Sequence, residues 1–169
     1  MTKTDEQRFL SLLQQHKGIL RKVSQMYMDN DEDREDLRQE IIIQMWKSFK
    51  NFRGESKFSS WMYRVAINTA ITFFKIEKKR NNIAVQENLA KHPYEEYDQT
   101  KDLQMEIFYK AFQQLKPIEK ALIFYYLEGF SHIETGKFLG ISEGNTRVKL
   151  NRTKGKLQII IKNIENGLR

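Results

Sequence analysis

Apolar positions recur at helical spacing through the first half of the chain. The clearest stripe, over about residues 36–49, recurs every four positions and consists of Leu37, Ile41, Met45 and Phe49, with Trp46 beside it. This spacing predicts an amphipathic helix with the stripe buried. Another helix is predicted over about 6–28, before an acidic turn at 29–33. After a polar break at 51–57, a further helix is predicted to begin near Ser59 or Ser60 and to end in the basic run at 78–80.

The second half predicts two short helices and then a helix-turn-helix. The short helices span about 103–115 and 118–127, divided at Pro117, which suits a helix's first turn. In the motif that follows, Gly140 stands where helices commonly end in a left-handed residue, Ile141 fills the corner, and Ser142 is a good N-cap. The first helix of the motif takes its apolar face from Ile133, Phe138 and Leu139. The second helix is expected to bury a stripe made of Thr146, Leu150, Thr153 and Leu157.

Residues 81–102 lose helical periodicity, contain Pro93 and are acidic. They predict a flexible linker, because more than about twelve residues without secondary structure are unusual in a surface loop, which is the alternative. Alternation typical of strands is hard to find, and only two prolines and eight glycines interrupt the 169 residues. We therefore expect an all-α fold of two small helical domains, at 1–80 and 103–169, joined by this linker.

Charge is unevenly distributed along the chain. The formal net charge of +7 divides into +5, −3 and +5 over the first domain, the linker and the second domain. Two basic lobes suggest a protein that meets a polyanion at two places, since clustered lysines and arginines gain affinity by releasing counterions.

Composition also excludes several functions. The chain has no cysteine, which excludes disulfides, thiolate metal sites and zinc fingers. Its three histidines stand apart from any carboxylate pair at ligand spacing, and there is no glycine-rich phosphate loop, so we expect no metal, no cofactor and no enzymatic site. A polar N-terminus and the lack of a long apolar run predict a cytoplasmic protein without membrane insertion.

The second helix of the helix-turn-helix has a face suited to duplex DNA. Its outward positions carry cations for phosphates and side chains that can reach base edges or a thymine methyl. The candidate residues for DNA contact are Ser142, Arg147, Val148, Lys149, Asn151 and Arg152, with Lys154 further along. The alternative is an ordinary helical hairpin with a solvated basic face.

A second polar patch lies on the helix over 36–49. Asp36, Gln39 and Glu40 are spaced i, i+3 and i+4, which puts them together beside the buried stripe. A carboxylate and amide patch suits a basic partner, although a merely solvated face has the same spacing.

Three motifs in order carry a family resemblance. DLRQE at 36–40, FRGESKFSSWMYRVAIN at 52–68 and FLGISEGNTRVKLNRTKGKL at 138–157 resemble the bacterial sigma-70 family, and in particular an extracytoplasmic-function (ECF) sigma factor with only regions 2 and 4. The resemblance covers about residues 9–80 and 103–160. It implies a factor that binds core RNA polymerase, through the β′ clamp helices and the β flap, and directs it to promoters. It also implies an anti-sigma partner.

The resemblance assigns roles to the candidate residues. Asp36, Gln39 and Glu40 correspond to the clamp-helix contact, and the recognition helix to the contact with the −35 duplex. Opening and recognition of the −10 element falls to Lys57, Phe58, Trp61, Tyr63, Arg64, Asn68 and Lys75. Aromatic rings there can stack on unpaired bases, and cations can bind phosphates. For Phe58 and Trp61, burial in the core is an equal alternative.

Some residues depart from the family pattern. Thr146 replaces a usual apolar residue, Val148 a usual small polar one, and Thr135-Gly136 a common Ile-Ala pair. These changes predict looser packing in the helix-turn-helix and an altered base preference. In the linker, the resemblance implies a path near the polymerase active site, where acidic residues could occupy a basic channel, although a plain tether explains them equally. These residues are Glu87, Glu95, Glu96 and Asp98.

The main competing function is a stand-alone helix-turn-helix regulator, with residues 1–100 as a sensor or dimerisation domain. Such a protein has no need of an aromatic-rich segment beside a basic tail, nor of the DLRQE patch. The sigma factor therefore explains more of the chain.

Overall fold

The computed structural model describes the backbone of residues 3–81 and 99–167, and the side chains of 3–77 and 103–167. Over these ranges the chain forms helices and no strand, which confirms the predicted all-α class. The helices are α1 (Lys3–Gln15), α2 (Lys17–Tyr27), α3 (Asp31–Phe49), α4 (Phe58–Asn81), α5 (Gln99–Gln113), α6 (Pro117–Leu127), α7 (His132–Leu139) and α8 (Glu143–Gly167). They group into two compact units, which divide between His92 and Pro93.

Most of the predicted linker lies outside the described residues. That includes the acidic positions expected to occupy a basic channel, which are Glu87, Glu95, Glu96 and Asp98. The side chains of the basic run at 78–80 lie outside them as well. The domain boundaries at 80 and 103 therefore stay predictions.

The single helix predicted over 6–28 is wrong, because the chain forms two helices there. They separate at His16, whose φ of −116° and ψ of 16° leave the helical region. At this break the His16 Nδ1 lies 2.9 Å from the carbonyl oxygen of Leu12, which also accepts the backbone N–H of His16 at 3.2 Å.

Helix α3 begins earlier than predicted, at Asp31, and takes in most of the expected acidic turn. Asn30 is its N-cap, and the Asn30 side chain accepts the N–H of Asp33 at 2.7 Å. Acidic residues in the first turn suit the positive end of the helix dipole. The predicted stripe is buried against α2 and α4: Leu37, Ile41 and Met45 are inaccessible to solvent, and Phe49 is nearly so.

The C-terminal unit packs α5, α6 and α7 against α8. Its aromatic centre is formed by Tyr125, Phe130 and Phe138, whose ring centroids are 5.3–5.4 Å apart. Lys120 is also buried; its ammonium donates to the Gln113 side chain and lies 5.7 Å from the centre of an aromatic ring. Ile133, which was predicted to contribute to the apolar face of α7, is 50% exposed.

Candidate nucleic-acid and polymerase interfaces

The helix-turn-helix is held at each end by local hydrogen bonds. Ser131 caps α7, and a reciprocal bond from its backbone N–H to Glu134 at 2.9 Å completes a capping box. Gly140 ends the helix in the left-handed conformation, with φ 69°. The hydroxyl of Ser142 then accepts the N–H of Asn145 at 3.2 Å, which is the predicted N-cap contact of α8.

The predicted inward stripe of α8 is buried throughout. Leu150 and Leu157 supply its apolar contacts, and Thr146 and Thr153 are buried with them. Each threonine hydroxyl donates to the carbonyl four residues earlier, Thr146 to Ser142 at 2.9 Å and Thr153 to Lys149 at 2.8 Å. These bonds remove the cost of burying a hydroxyl, so α8 keeps this face inward and presents the opposite one.

Packing between α7 and α8 is close, which corrects the expectation of looser packing. Gly136 is buried, and a Cβ added there would lie 2.7 Å from the carbonyl oxygen of Ile141 and 2.9 Å from the Thr146 hydroxyl. A residue with any side chain would push the turn away from α7. Gly136 and the small, polar Thr146 are therefore matched to each other.

The outward face of α8 carries the residues predicted for DNA contact. All six are exposed: Ser142, Arg147, Val148, Lys149, Asn151 and Arg152. Arg147 pairs with Glu143 at 2.8 Å along the same face. Val148 is 47% exposed and adds an apolar side chain to this otherwise polar face. Lys154 differs from expectation, because it is half-buried with its ammonium 3.3 Å from the centre of the Tyr126 ring.

The aromatic residues predicted for the −10 element divide into core and surface. Phe58 and Tyr63 are each only 8% exposed. Of the two alternatives for Phe58, burial in the core is the one observed, and the expectation that the Tyr63 ring is available to unpaired bases is wrong. Phe58 lies in a cluster with Phe49 and Phe52, at centroid distances of 6.4 and 5.6 Å. Trp61 packs at the edge of this cluster with its ring tilted against Phe52 and Phe58, and the residue is half-buried.

The polar residues predicted for the −10 element all face solvent. Arg64, Asn68 and Lys75 are exposed and lie at i, i+4 and i+11 of α4, which places them on one side of the helix. Lys57 is exposed in the segment just before α4. The structure thus brings a continuous polar and basic track together on this helix.

The DLRQE patch lies on the solvent side of α3. Asp36 and Gln39 are exposed, while Glu40 is half-buried and accepts a bond from the Gln44 amide at 2.7 Å. Next to the patch, Arg38 donates to Glu35 at 2.9 Å, and this bond and charge lower the pKa of Glu35. Asp36 is therefore exposed at the surface of α3, whereas the Glu40 carboxylate is partly covered and engaged by Gln44.

Two further results concern metals and membranes. In the part of the chain that the structure describes, no group of three or more acidic or histidine side chains is placed to hold a metal ion. Over the same residues, no helix combines the length and apolarity needed to cross a bilayer.

Sequence reasoning did not identify Lys116 and Lys156 as neighbours, because they lie in different helices and only the fold brings them together.

Comparison with known proteins shows the family to which the chain belongs. The sigma-70 region 2 family model matches residues 12–80, and the sigma-70 region 4 model matches residues 105–157. The chain is 20% identical over 166 residues to the ECF RNA polymerase sigma factor SigM of Mycobacterium tuberculosis, covering 97% of this chain and 82% of SigM. It is 24% identical over 170 residues to the ECF sigma factor SigW of Bacillus subtilis, covering 92% and 90%.

Solved structures show the same fold. The sigma factor RpoE from Bartonella quintana, in complex with the anti-sigma factor NepR, superposes with a TM-score of 0.67 at 23% identity, over 95% of this chain and 98% of RpoE. CnrH, in complex with the cytosolic domain of CnrY, superposes with a TM-score of 0.65 at 16% identity, over 94% and 90%. None of these similarities supports the stand-alone regulator. With two regional models matching in order over most of its length, the chain belongs to the sigma-70 family as an ECF sigma factor, an alternative subunit that directs RNA polymerase to promoters.

Proposed function

We propose that three exposed surfaces of this chain bind the promoter and core polymerase. The outward face of α8 binds the −35 duplex in its major groove. The exposed track of α4, with Trp61 and Lys57, binds the −10 element as it opens. The DLRQE patch of α3 docks on the β′ clamp helices of core polymerase, and the C-terminal unit contacts the β flap.

The observation that carries the proposal is the division of α8 into two faces. Thr146 and Leu150 are buried while their neighbours Arg147, Val148 and Lys149 are all exposed. One side of α8 is buried, and the other presents cations, an amide and an exposed valine. Such a helix fits the major groove, where cations bind phosphate or guanine and an apolar side chain covers a thymine methyl.

The polymerase-binding surface extends beyond the DLRQE motif. Ile43 is 46% exposed and follows Asp36 by seven residues and Gln39 by four, so it lies on the same side of α3. An exposed isoleucine beside two carboxylates gives the patch an apolar contact together with its charges. This combination suits a protein partner with a basic and partly apolar surface.

We also propose that the chain acts in the cytoplasm, with no chemistry of its own. Polymerase supplies the reaction, while this subunit supplies positioning and duplex opening through binding energy. Because the two solved relatives are complexes with NepR and CnrY, we further propose that an anti-sigma partner binds this chain and competes with polymerase.

A core-binding assay tests the polymerase surface. We expect the triple variant Asp36→Ala, Gln39→Ala, Glu40→Ala to bind core polymerase more weakly, since it removes two charges and an amide from the patch. A matched control removes the same three residue types from α1 by Asp5→Ala, Glu6→Ala and Gln7→Ala, outside the region 2 match. Equal binding by both variants, with unchanged circular dichroism, would remove the assignment to α3.

A further inference from the structure

One lysine of α8 is held away from the proposed DNA-binding face. Lys154 follows Arg147 by seven residues and Asn151 by three, so its backbone lies on the same side of the helix as these two exposed residues. Its side chain reaches α6 instead, where the ammonium is 3.3 Å from the centre of the Tyr126 ring. Lys154 is half-buried in this position, whereas Arg147 and Asn151 are exposed.

The contact between the ammonium and the ring is a cation–π interaction. The negative face of an aromatic ring attracts a cation that lies within about 6 Å of the ring centre. In the described part of the chain no carboxylate pairs with Lys154, in contrast to Arg147, which pairs with Glu143 at 2.8 Å. Because the ring has no formal charge, Lys154 keeps its positive charge while its ammonium is held on α6.

Tyr126 is placed at the C-terminal end of α6, and the core does not depend on its ring. Its side chain is 50% exposed, while the neighbouring Tyr125 is fully buried and packs against Phe130 and Phe138. The last turn of a helix is the negative end of its dipole, which also favours a nearby cation. Substitution of Tyr126 can therefore remove the ring from Lys154 with little effect on the fold.

We propose that Tyr126 is a positioning residue that withholds Lys154 from the −35 duplex. The inference rests on the proposed function, because it requires α8 to lie in the major groove. A lysine that contacts a phosphate adds affinity whatever the base sequence, since it releases counterions from the duplex. With Lys154 held on α6, the recognition helix makes one phosphate contact fewer, and a larger share of its binding depends on bases.

The test measures promoter binding at several salt concentrations by the full chain bound to core polymerase. The probe is a duplex that this wild-type holoenzyme selects from a random library. Four variants are compared: Tyr126→Leu, which removes the ring; Tyr126→Phe, which keeps it; Lys154→Gln; and the double variant Tyr126→Leu, Lys154→Gln. The controls Tyr109→Leu and Lys110→Gln change an exposed tyrosine and an exposed lysine of α5.

Release of Lys154 by Tyr126→Leu is expected to steepen the slope of log affinity against log salt concentration by about 0.9, the value for one added phosphate contact. At 0.1 M salt this corresponds to roughly eightfold tighter binding. The double variant should lose this gain, while Tyr126→Phe and Tyr109→Leu should keep the wild-type slope. Lys154→Gln alone should change the slope no more than Lys110→Gln, which removes one distant charge.

Three results would overturn the inference. The first is a slope that Lys154→Gln flattens by about 0.9 relative to Lys110→Gln, which would show that Lys154 contacts a phosphate with the ring present. The second is Tyr126→Leu with the wild-type slope and affinity, and the third is a gain that survives in the double variant. The first result does not depend on α6, so it stands even where Tyr126→Leu affects folding. Failure of the wild-type holoenzyme to select any duplex would instead contradict the proposed function, so the two failures are distinguishable.

Discussion

Replacement of Gly136 by alanine is expected to destabilise the helix-turn-helix, although alanine is the better helix former. The added Cβ would lie 2.7 Å from the Ile141 carbonyl oxygen, a backbone atom that cannot rotate away. It would also lie 2.9 Å from the Thr146 hydroxyl, which is fixed by its bond to Ser142. Overpacking of this kind costs about 1–3 kcal/mol.

Gly155 provides a matched control within α8. A Cβ added there meets nothing within 4 Å, so Gly155→Ala is expected to stabilise the unit by about 0.5–1 kcal/mol through helix propensity alone. The propensity gain is common to both variants. The difference between them therefore isolates the steric cost at Gly136, about 1–3 kcal/mol in the free energy of unfolding.

Urea unfolding with two probes measures this difference. Both tryptophans, Trp46 and Trp61, lie in the N-terminal unit, so their fluorescence follows that unit, whereas far-ultraviolet circular dichroism follows both. The unfolding of the C-terminal unit is the transition seen by circular dichroism but not by fluorescence. Gly136→Ala should lower the urea midpoint of this transition by about 1 M, for a slope of about 1–2 kcal/mol per molar urea. The tryptophan transition should not move. Equal stability of Gly136→Ala and Gly155→Ala would refute the close approach.

Three further outcomes are expected. Ile43→Ala should weaken binding to core polymerase in an equilibrium titration while leaving the unfolding midpoint within error, since the side chain is exposed; an unchanged affinity would exclude Ile43 from the interface. Val148→Ala should change base preference at one position of a selected −35 element, and selection of identical elements by the wild type and this variant would contradict a base contact by Val148. Arg152→Ala should weaken DNA binding by about 1–3 kcal/mol if the arginine contacts a base. Hydrogen bonds from Ser131 lower the pKa of Glu134, so their contribution to stability is present at neutral pH and is lost as pH falls below the ordinary carboxyl value of 4.5. Glu134→Gln should therefore make the free energy of unfolding depend less on pH in the acid range. A variant whose pH profile of stability runs parallel to that of the wild type would argue against this contribution.

The sequence predicted those parts of the fold that depend on local periodicity. The stripes through Leu37 and Leu150 are buried as their spacing requires, and Gly140 takes the left-handed conformation expected at a helix end. Exposure of the α8 face and the α4 track follows from the same periodicity, because a stripe fixes its opposite side. The exposed faces of α8 and α4 could therefore be predicted from the sequence alone.

What the sequence could not predict depends on contacts between distant residues. Phe58 and Tyr63 have aromatic rings, which suit either base stacking or a hydrophobic core, and their burial in the folded chain shows that they belong to the core. The near-contact at Gly136 depends on how closely α7 approaches the following turn, which no spacing encodes. The pairing of Lys156 with Glu119 joins two helices in the same way.

Transcription with purified core RNA polymerase shows whether this chain directs the enzyme to promoters. Run-off products from a genomic fragment library are compared with and without this chain, and with the Asp36, Gln39 and Glu40 triple variant. We expect new, sequence-specific start sites that share a −35 and a −10 element and that disappear with the variant. Duplex binding by the chain alone, without binding to core polymerase and without new start sites, would contradict it.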